Sequence, residues 1–261
     1  MIDANLAPDT PPSPAATPSP HPVLSARALR RAYGSTMALD GVDLDIRAGE
    51  SVAIMGPSGS GKSTLLHTLA GIERPDSGSV LLAGTGAAAR DITVLGEGER
   101  SRLRRESFGF VFQSGLLIPE LTAVENVAMA LMINGVPRAA ALPRAAQWLA
   151  ALGLAGLEER RIGQLSGGQA QRVAIARAQV TGARVTFADE PTGALDSATG
   201  AEVLAVLMES TTGRGNTLVM VTHDADVAAR CDRIIRLRDG RIIAEHTAPA
   251  AARAQTPGQV N

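Results

Sequence analysis

Short runs of apolar residues along the chain end abruptly at glycines, carboxylates or a histidine. Ser51–Met55 precedes a glycine-rich stretch, Val185–Ala188 precedes two acidic residues, and Thr217–Thr222 precedes His223. Continuous apolar runs of this length are typical of strands buried on both faces, as in a parallel sheet. Because ligands of an open α/β sheet bind at the carboxyl ends of its strands, these endings are the candidate functional positions.

Helices and a hairpin are predicted around these strands. Lys62–Ala70 is typical of a helix, which Gly71 would end. The segment 116–164 lacks clear strands, and its alanine- and leucine-rich pattern predicts a helical sub-lobe. Asp239-Gly240 separates two further apolar runs, as in a hairpin turn. The predicted fold class is therefore α/β.

The two ends of the chain differ in composition from its middle. Seven of the 15 prolines lie within the first 22 residues, mixed with alanine, serine, threonine and aspartate. Such segments cannot bury enough apolar surface to fold, so residues 1–22 and 250–261 are predicted to be disordered tails. One folded domain is predicted over 23–249, with a helical subdomain at about 114–170.

The composition narrows the class of protein. Hydrophobic residues make up 45% of the chain but aromatic residues only 2%, which predicts an aliphatic core. The 25 basic and 26 acidic residues nearly cancel, which argues against a nucleic-acid-binding protein. The one cysteine, Cys231, excludes an intrachain disulfide and a cysteine-based metal cluster, and it is expected to be a small buried hydrophobe.

No stretch of the sequence approaches the ~18 apolar residues of a membrane-spanning helix. No basic residue precedes Arg27 and no apolar run lies near the N-terminus, unlike a secretory signal. We therefore expect a cytoplasmic chain whose contact with a membrane is made only through a partner protein.

The P-loop pattern G-x-x-x-x-G-K-[ST] is matched by residues 56–63, between a predicted strand and a predicted helix. Its glycines let successive backbone N–H groups surround phosphate oxygens, and the positive end of the following helix favours the same anion. Lys62 would reach the β- and γ-phosphates, and the Ser63 hydroxyl would ligate Mg²⁺. The alternative, a glycine-rich loop without a ligand, is disfavoured by this context. The predicted nucleotide-binding residues here are Gly56, Ser58, Gly59, Gly61, Lys62, Ser63 and Thr64.

A strand that ends in two carboxylates supplies the other groups that nucleotide hydrolysis requires. Asp189 is placed to hold Mg²⁺ through water, and Glu190 to act as the base for an attacking water. On its own, an Asp-Glu strand end is more often simply solvated. Together with a P-loop, the functional interpretation is preferred.

The pentapeptide Leu165-Ser166-Gly167-Gly168-Gln169 separates this chain from other P-loop proteins. With it, residues 23–246 resemble the ABC ATPase family. The resemblance implies a RecA-like P-loop core with an antiparallel β subdomain and an inserted α-helical subdomain. It also implies that the pentapeptide opens a helix facing the γ-phosphate of ATP held by a second copy, so that the site is complete only in a homodimer. Taken alone, the pentapeptide could be an ordinary helix N-cap.

Four further residues match the family's pattern. The resemblance implies that Tyr33 stacks on adenine, that Gln113 reaches the metal and the water, and that Asp196 lies in a loop crossing the dimer interface. It also implies that His223 contacts the γ-phosphate and orients Glu190. The alternatives are a surface tyrosine at position 33 and a structural histidine at position 223.

Three stretches resemble one branch of the family, the ATPases of lipoprotein release and of macrolide and antimicrobial-peptide export. They are 100–105 with 108–113, then 121–127 and 190–196. The alternative for the arginine-rich stretch 100–105 is an ordinary solvated helix face. The resemblance implies a separate membrane permease as partner, with the ATPase peripheral on the inner face of the cell membrane. One alternative is a non-transport ATPase that regulates a membrane-anchored cell-wall or division complex. Another, a soluble ABC protein of translation or DNA repair, is disfavoured because the chain has a single cassette.

Several residues depart from the family's pattern. Many relatives carry leucine where Gln179 stands, and glutamine or methionine where Ala170 stands. Thr186 places a hydroxyl in a strand that is usually aliphatic, and residues 160–163 lack an expected proline. None of these changes removes a group with an expected role, so we expect an active ATPase.

Overall fold

The computed structural model describes residues 22–84 and 88–247. The predicted tails lie outside these residues, except for Pro22. Its assignment to the tail is wrong, because Pro22 is the first residue of a strand and lies opposite Arg47. Proline is tolerated there, since the first position of a strand has no need of its missing N–H.

The described residues form ten strands and seven α-helices. The strands are β1 (Pro22–Tyr33), β2 (Thr36–Arg47), β3 (Ser51–Met55), β4 (Ser77–Leu82), β5 (Arg90–Asp91), β6 (Phe108–Phe112), β7 (Val185–Asp189), β8 (Thr217–Val221), β9 (Arg233–Arg238) and β10 (Arg241–Thr247). The helices are α1 (Lys62–Leu69), α2 (Glu97–Ser107), α3 (Ala123–Met132), α4 (Arg138–Ala151), α5 (Gly167–Gln179), α6 (Ser197–Ser210) and α7 (Ala225–Ala228). None of these helices is long and apolar enough to cross a membrane.

The central sheet has six strands in the order β10-β9-β3-β8-β7-β6. Its strands pair in parallel, except for the β9–β10 hairpin. Every residue of β3 and β8 is buried, because layers cover both faces, and this explains the continuous apolar runs in the sequence. The α/β prediction is confirmed.

A second, antiparallel sheet has the order β2-β1-β4-β5. Alternate residues of the central strands face two different cores. Val52 and Ile54 pack with α1 and this second sheet, whereas Ala53 and Met55 pack with α3, α5 and α6. The central sheet is therefore buried between an antiparallel β layer and a helical layer.

The segment between β6 and β7 is helical, as predicted. Thr122 and Glu125 form a reciprocal capping box that starts α3, with the Thr122 hydroxyl accepting from the Glu125 N–H. The side chain of Asn126 is buried and holds the preceding loop through hydrogen bonds with both the N–H and the carbonyl of Ile118. Helix α3 packs on α4 and α5, and this packing joins the helical lobe to the core.

The core is aliphatic except for one cluster of phenylalanines. All four phenylalanines of the chain lie on the paired strands β6 and β7, and Phe187 packs against both Phe108 and Phe110. Cys231 is buried among aliphatic side chains, and burial raises the pKa of its thiol to about 12. It is therefore a packing residue with little thiolate character.

A buried ion pair fixes the β9–β10 hairpin to the rest of the molecule. The Arg233 guanidinium lies 2.9 Å from the Glu50 carboxylate, and both side chains are almost completely buried. Arg233 also donates to Glu245 and to the backbone carbonyl of Asp45. Burial raises the pKa of Glu50, which means that it disfavours the charged carboxylate. The hydrogen bonds of Arg233 to Glu50, Glu245 and Asp45 offset the cost of burying the two charges.

Two of the departures from the family's pattern are partners of each other. The Gln179 side chain donates to the Thr186 hydroxyl at 2.8 Å, and both groups are buried. The hydroxyl within an otherwise apolar strand is therefore satisfied by the amide of the neighbouring helix.

Removing either partner alone should leave the other polar group buried and unsatisfied. We expect Gln179→Leu and Thr186→Val each to lower the free energy of unfolding by about 1–3 kcal/mol. The double variant should lose clearly less than the sum of the two, as measured by urea unfolding of all four proteins. Strictly additive losses would mean that this hydrogen bond contributes nothing to stability.

Candidate nucleotide site

The P-loop lies where β3 ends and α1 begins. Gly56 and Gly61 both have positive φ, at 159° and 97°. A Cβ atom on Gly56 would lie 2.1 Å from the carbonyl oxygen of Leu237, and one on Gly61 would lie 2.1 Å from that of Ala38. No larger residue fits at either position, so the two glycines are required by the packing of the loop.

The β9–β10 hairpin holds the loop from behind. Gly240 donates its N–H to the Ser60 carbonyl at 3.1 Å and accepts from the Asp40 N–H at 2.9 Å. The predicted turn at Asp239-Gly240 thus connects the P-loop with strand β2. Ser58 and Gly59 form the exposed tip of the loop, and Thr64 lies in the first turn of α1.

Lys62 and Ser63 begin α1 and face the carboxyl edge of the sheet. The Lys62 ammonium donates to the carbonyls of Gly56 and Pro57, each at 2.9 Å. The Ser63 hydroxyl is hydrogen-bonded to Asp189, at the end of β7. Burial raises the pKa of the Asp189 carboxyl, although His67, Ser63 and Lys62 oppose that shift.

Glu190 follows β7 in a left-handed backbone conformation with φ of 46°, which is uncommon for a residue other than glycine. Its N–H donates to the Val221 carbonyl at 3.0 Å, and this bond ties it to the end of β8. Its carboxylate lies 3.1 Å from Nδ1 of His223, two residues further along that segment. Two neighbouring strand ends therefore bring this acid and this histidine together.

Gln113 follows β6, the next strand of the sheet. A Cβ atom on Gly193 would lie 3.1 Å from Gln113 Nε2 and 3.2 Å from Glu190 Oε2, so the two side chains converge on that glycine. Ser63, Gln113, Asp189 and Glu190 line one cavity of about 570 Å³. The structure thus gathers these four predicted residues into one site.

The predicted pentapeptide 165–169, called the signature segment below, lies outside the cavity formed by these four residues. Ser166 caps α5 by accepting from the Gln169 N–H, and the Gln169 side chain accepts from the Ser166 N–H. A Cβ atom on Gly168 would lie 2.4 Å from the Thr199 side chain, so that glycine lets α5 and α6 pack closely. Within the described residues, no hydrogen bond joins 166–169 to 56–63.

Asp196 and Tyr33 do not line the cavity that Ser63, Gln113, Asp189 and Glu190 form. Asp196 is exposed and caps α6 by accepting from the N–H groups of Ala198 and Thr199, which hold the pKa of its carboxyl below the usual value. Tyr33 ends β1, is half exposed, and donates its hydroxyl to Glu73.

Two functional candidates were missed by the sequence analysis, and both lie on α5. Gln171 is buried and donates to the carbonyls of Phe112 and Pro191, at 2.9 and 2.8 Å. Arg177 donates to the carbonyls of Gly115 and Leu116, both at 2.7 Å, and burial lowers the pKa of its guanidinium. Neither residue has a spacing signal in the sequence, because the partners of both are backbone carbonyls far along the chain.

A P-loop at the junction of β3 and α1, with carboxylates at the end of β7, a parallel strand of the same sheet, defines a P-loop nucleoside triphosphatase. Residues 39–193 match the family model described as ABC transporter. The chain belongs to this family and is its ATP-binding ATPase cassette, which confirms the resemblance drawn from the signature segment.

The relatives support the predicted branch. The chain is 48% identical over 229 residues to the macrolide export ATP-binding/permease protein MacB of Nitrosomonas europaea, covering 86% of this chain and 34% of that protein. It is 49% identical, with the same coverage, to the pyoverdine export ATP-binding/permease protein PvdT of Pseudomonas fluorescens. The chain thus spans about a third of the length of these relatives.

A solved structure of the same fold is the dimeric, post-hydrolysis ATP-binding cassette MJ0796 bound to ADP and Pi. It superposes with a TM-score of 0.78 at 38% identity, covering 87% of this chain and 99% of that one. The fold of this chain and its assignment as an ATP-binding cassette therefore agree with a solved structure of a relative.

The close approach at Gly61 gives a direct test of the loop. We expect Gly61→Ala to reduce ATP affinity at least tenfold and to lower the melting temperature, because its Cβ would meet the backbone of Ala38. Gly59→Ala is the control: it also has positive φ, but open space, so only about 1–2 kcal/mol of backbone strain is expected. Equal affinity and equal melting temperature of the two variants would disprove this packing argument.

Proposed function

We propose that this chain is the energy-coupling subunit of an exporter, which binds ATP and Mg²⁺, dimerises around two ATP molecules and drives a separate membrane permease. The observation that carries the proposal is the convergence of Ser63, Gln113, Asp189 and Glu190 at one edge of the sheet, beside the P-loop. The export function rests on the names of the macrolide and pyoverdine relatives.

The proposed chemistry is the attack of water on the γ-phosphorus of ATP. The P-loop N–H groups and Lys62 would hold the phosphates, with Tyr33 against the adenine. Glu190 would accept a proton from the attacking water while the bond between the γ-phosphorus and the β–γ bridging oxygen breaks. ADP would leave with that oxygen and its electron pair, and the γ-phosphoryl group would become inorganic phosphate. The 3.1 Å contact between His223 and Glu190 supports the role of His223 in orienting this base.

The residues around Asp189 fit a hard divalent cation. Mg²⁺ prefers oxygen ligands, and the Ser63 hydroxyl, the Gln113 amide oxygen and the Asp189 carboxylate provide them. Burial disfavours the charge on Asp189, and a cation beside it would offset that cost. When bound, the metal would neutralise charge on the phosphates.

The proposed homodimer follows from the place of the signature segment. Ser166, Gly167 and Asp196 are exposed, and their described contacts are with α5 and α6 rather than with the P-loop. An exposed helix N-terminus that begins with Gly167 suits a phosphate that approaches from another molecule. The dimeric form of the MJ0796 cassette supports this arrangement.

The proposed permease contact is a groove of about 480 Å³ between β6 and the helical lobe. Ile133 on its rim is 56% exposed, and Ile72 and Met129 also line it. Clustered exposed apolar side chains are typical of protein–protein contact sites. A permease engaging this groove would hold the chain at the cytoplasmic face of the membrane.

Substitution of the proposed base tests the catalytic assignment. We expect Glu190→Gln to keep ATP binding, to lower kcat by at least about 10²-fold, and to accumulate a nucleotide-bound dimer on gel filtration. Lys62→Ala should instead lose affinity for ATP, and chelation of Mg²⁺ should stop turnover of the parent protein. Turnover by Glu190→Gln at near the parent rate would show that another group is the base.

Placing a charged side chain in the groove tests whether the permease binds there. Ile133→Glu should abolish co-purification of a polytopic permease from detergent-solubilised native membranes while leaving the ATPase activity of the isolated chain unchanged. Ile243→Glu is the matched control, because that isoleucine is 53% exposed and lies on β10, at the opposite edge of the sheet. Equal permease recovery with both variants would exclude the groove as the contact.

A further inference from the structure

The side chain of Gln171 joins two backbone segments of the site. It lies on α5, shortly after the signature segment, and is only 4% exposed. Its Nε2 donates to the carbonyls of Phe112 and Pro191, at 2.9 and 2.8 Å. Phe112 immediately precedes Gln113, and Pro191 immediately follows Glu190, so one amide group spans the two residues that converge on the cavity.

The Gln171 amide lies just beyond the point where hydrogen bonding between β6 and β7 ends. The last residue pair between β6 and β7 is Phe112 with Asp189, and beyond it both chains leave the sheet as loops. Arg177, on the same helix, holds the first of these loops through the carbonyls of Gly115 and Leu116. Helix α5 thus replaces the strand ladder as the support of both loops.

We propose that Gln171 is a positioning residue for ATP hydrolysis, which fixes Gln113 and Glu190 relative to each other and to the signature helix. The inference rests on the proposed roles of Gln113 and Glu190. The two hydrogens of its Nε2 satisfy two carbonyls at once, which no apolar side chain of the same length can do. Without it, each loop can shift independently, and small displacements of catalytic groups cost large factors in rate.

A purely structural role for a buried glutamine is the competing explanation, and the chain provides its own control. Gln179 lies on the same helix and is also buried, and its amide donates one internal hydrogen bond, to Thr186, where that of Gln171 donates two. That bond does not involve the loops of the site. Gln171→Met and Gln179→Met therefore remove the same group from the same helix at a similar depth.

The experiment compares steady-state ATPase kinetics and urea unfolding of the full chain and these two variants. We expect both variants to lose stability, but Gln171→Met should lower kcat by about 10–100-fold with KM for ATP changed less than about threefold. Gln179→Met should keep kcat within about twofold of the parent. If the two variants have the same kcat, Gln171 is a structural residue only and the inference is overturned.

A second variant keeps the test decisive if Gln171→Met does not fold. Gln171→Glu has the same size, but its carboxylate cannot donate until it is protonated. Its kcat relative to the parent should rise as the pH is lowered from about 8 to 6, because the protonated carboxyl regains one hydrogen bond to the loop carbonyls. A ratio near one at every pH would overturn the inference.

Failure of this inference and failure of the proposed function give different results. If Glu190→Gln abolishes turnover while Gln171→Met behaves like Gln179→Met, only the positioning role falls. If Glu190→Gln hydrolyses ATP like the parent, the role of Glu190 falls, and the proposed positioning falls with it. In the expected case, adding Gln171→Met to Glu190→Gln lowers turnover no further, since both act on one step.

Discussion

The phosphate loop depends on close backbone contacts between elements from both sheets. The carbonyl oxygens of Leu237 on β9 and Ala38 on β2 lie where any Cβ atom on Gly56 or Gly61 would have to be. The loop can therefore take its shape only if β2, β3 and the β9–β10 hairpin meet at one point. The buried Arg233–Glu50 pair holds that hairpin in place, which makes a distant ion pair part of the support of the nucleotide site.

Helix α5 has a comparable role for the catalytic side of the site. Its N-terminus carries the signature residues, while Gln171 and Arg177 hold the loops that follow β6 and β7. A displacement of this helix would move the signature, Gln113 and Glu190 together. In the proposed dimer, the surface that meets the second copy would thus be connected through α5 to Gln113 and Glu190, the proposed catalytic residues of the same protomer.

The parts of the fold that could be predicted are those governed by local patterns. Fully buried strands such as β3 and β8 give continuous apolar runs, and the P-loop and its neighbouring carboxylates have fixed spacings. Strands β1 and β2 were not identified, because buried and exposed residues alternate only irregularly along them and their pairing is interrupted by register shifts. The one-sided burial of this antiparallel sheet leaves a weaker signal than a parallel strand does.

The long-range partners could not be predicted from the sequence at all. Gln179 and Thr186 stood out only as two separate departures from the family's pattern, yet they form one buried hydrogen bond. Gln171 gave no spacing signal, since its partners are backbone carbonyls 59 and 20 positions away. Such contacts depend on how α5 packs against two strands, which is a property of the tertiary structure.

Crosslinking of two single-cysteine variants tests most directly the claim that two copies complete each nucleotide site. Ser58→Cys and Ser166→Cys place a thiol at the exposed tip of the P-loop and at the exposed start of the signature helix. The native Cys231 is buried and the pKa of its thiol is raised, so we expect it to form no crosslink under these conditions. When the two variants are mixed and oxidised, ATP should promote a covalent dimer joining one of each. Absence of that dimer, under conditions in which both variants bind ATP, would contradict the composite site.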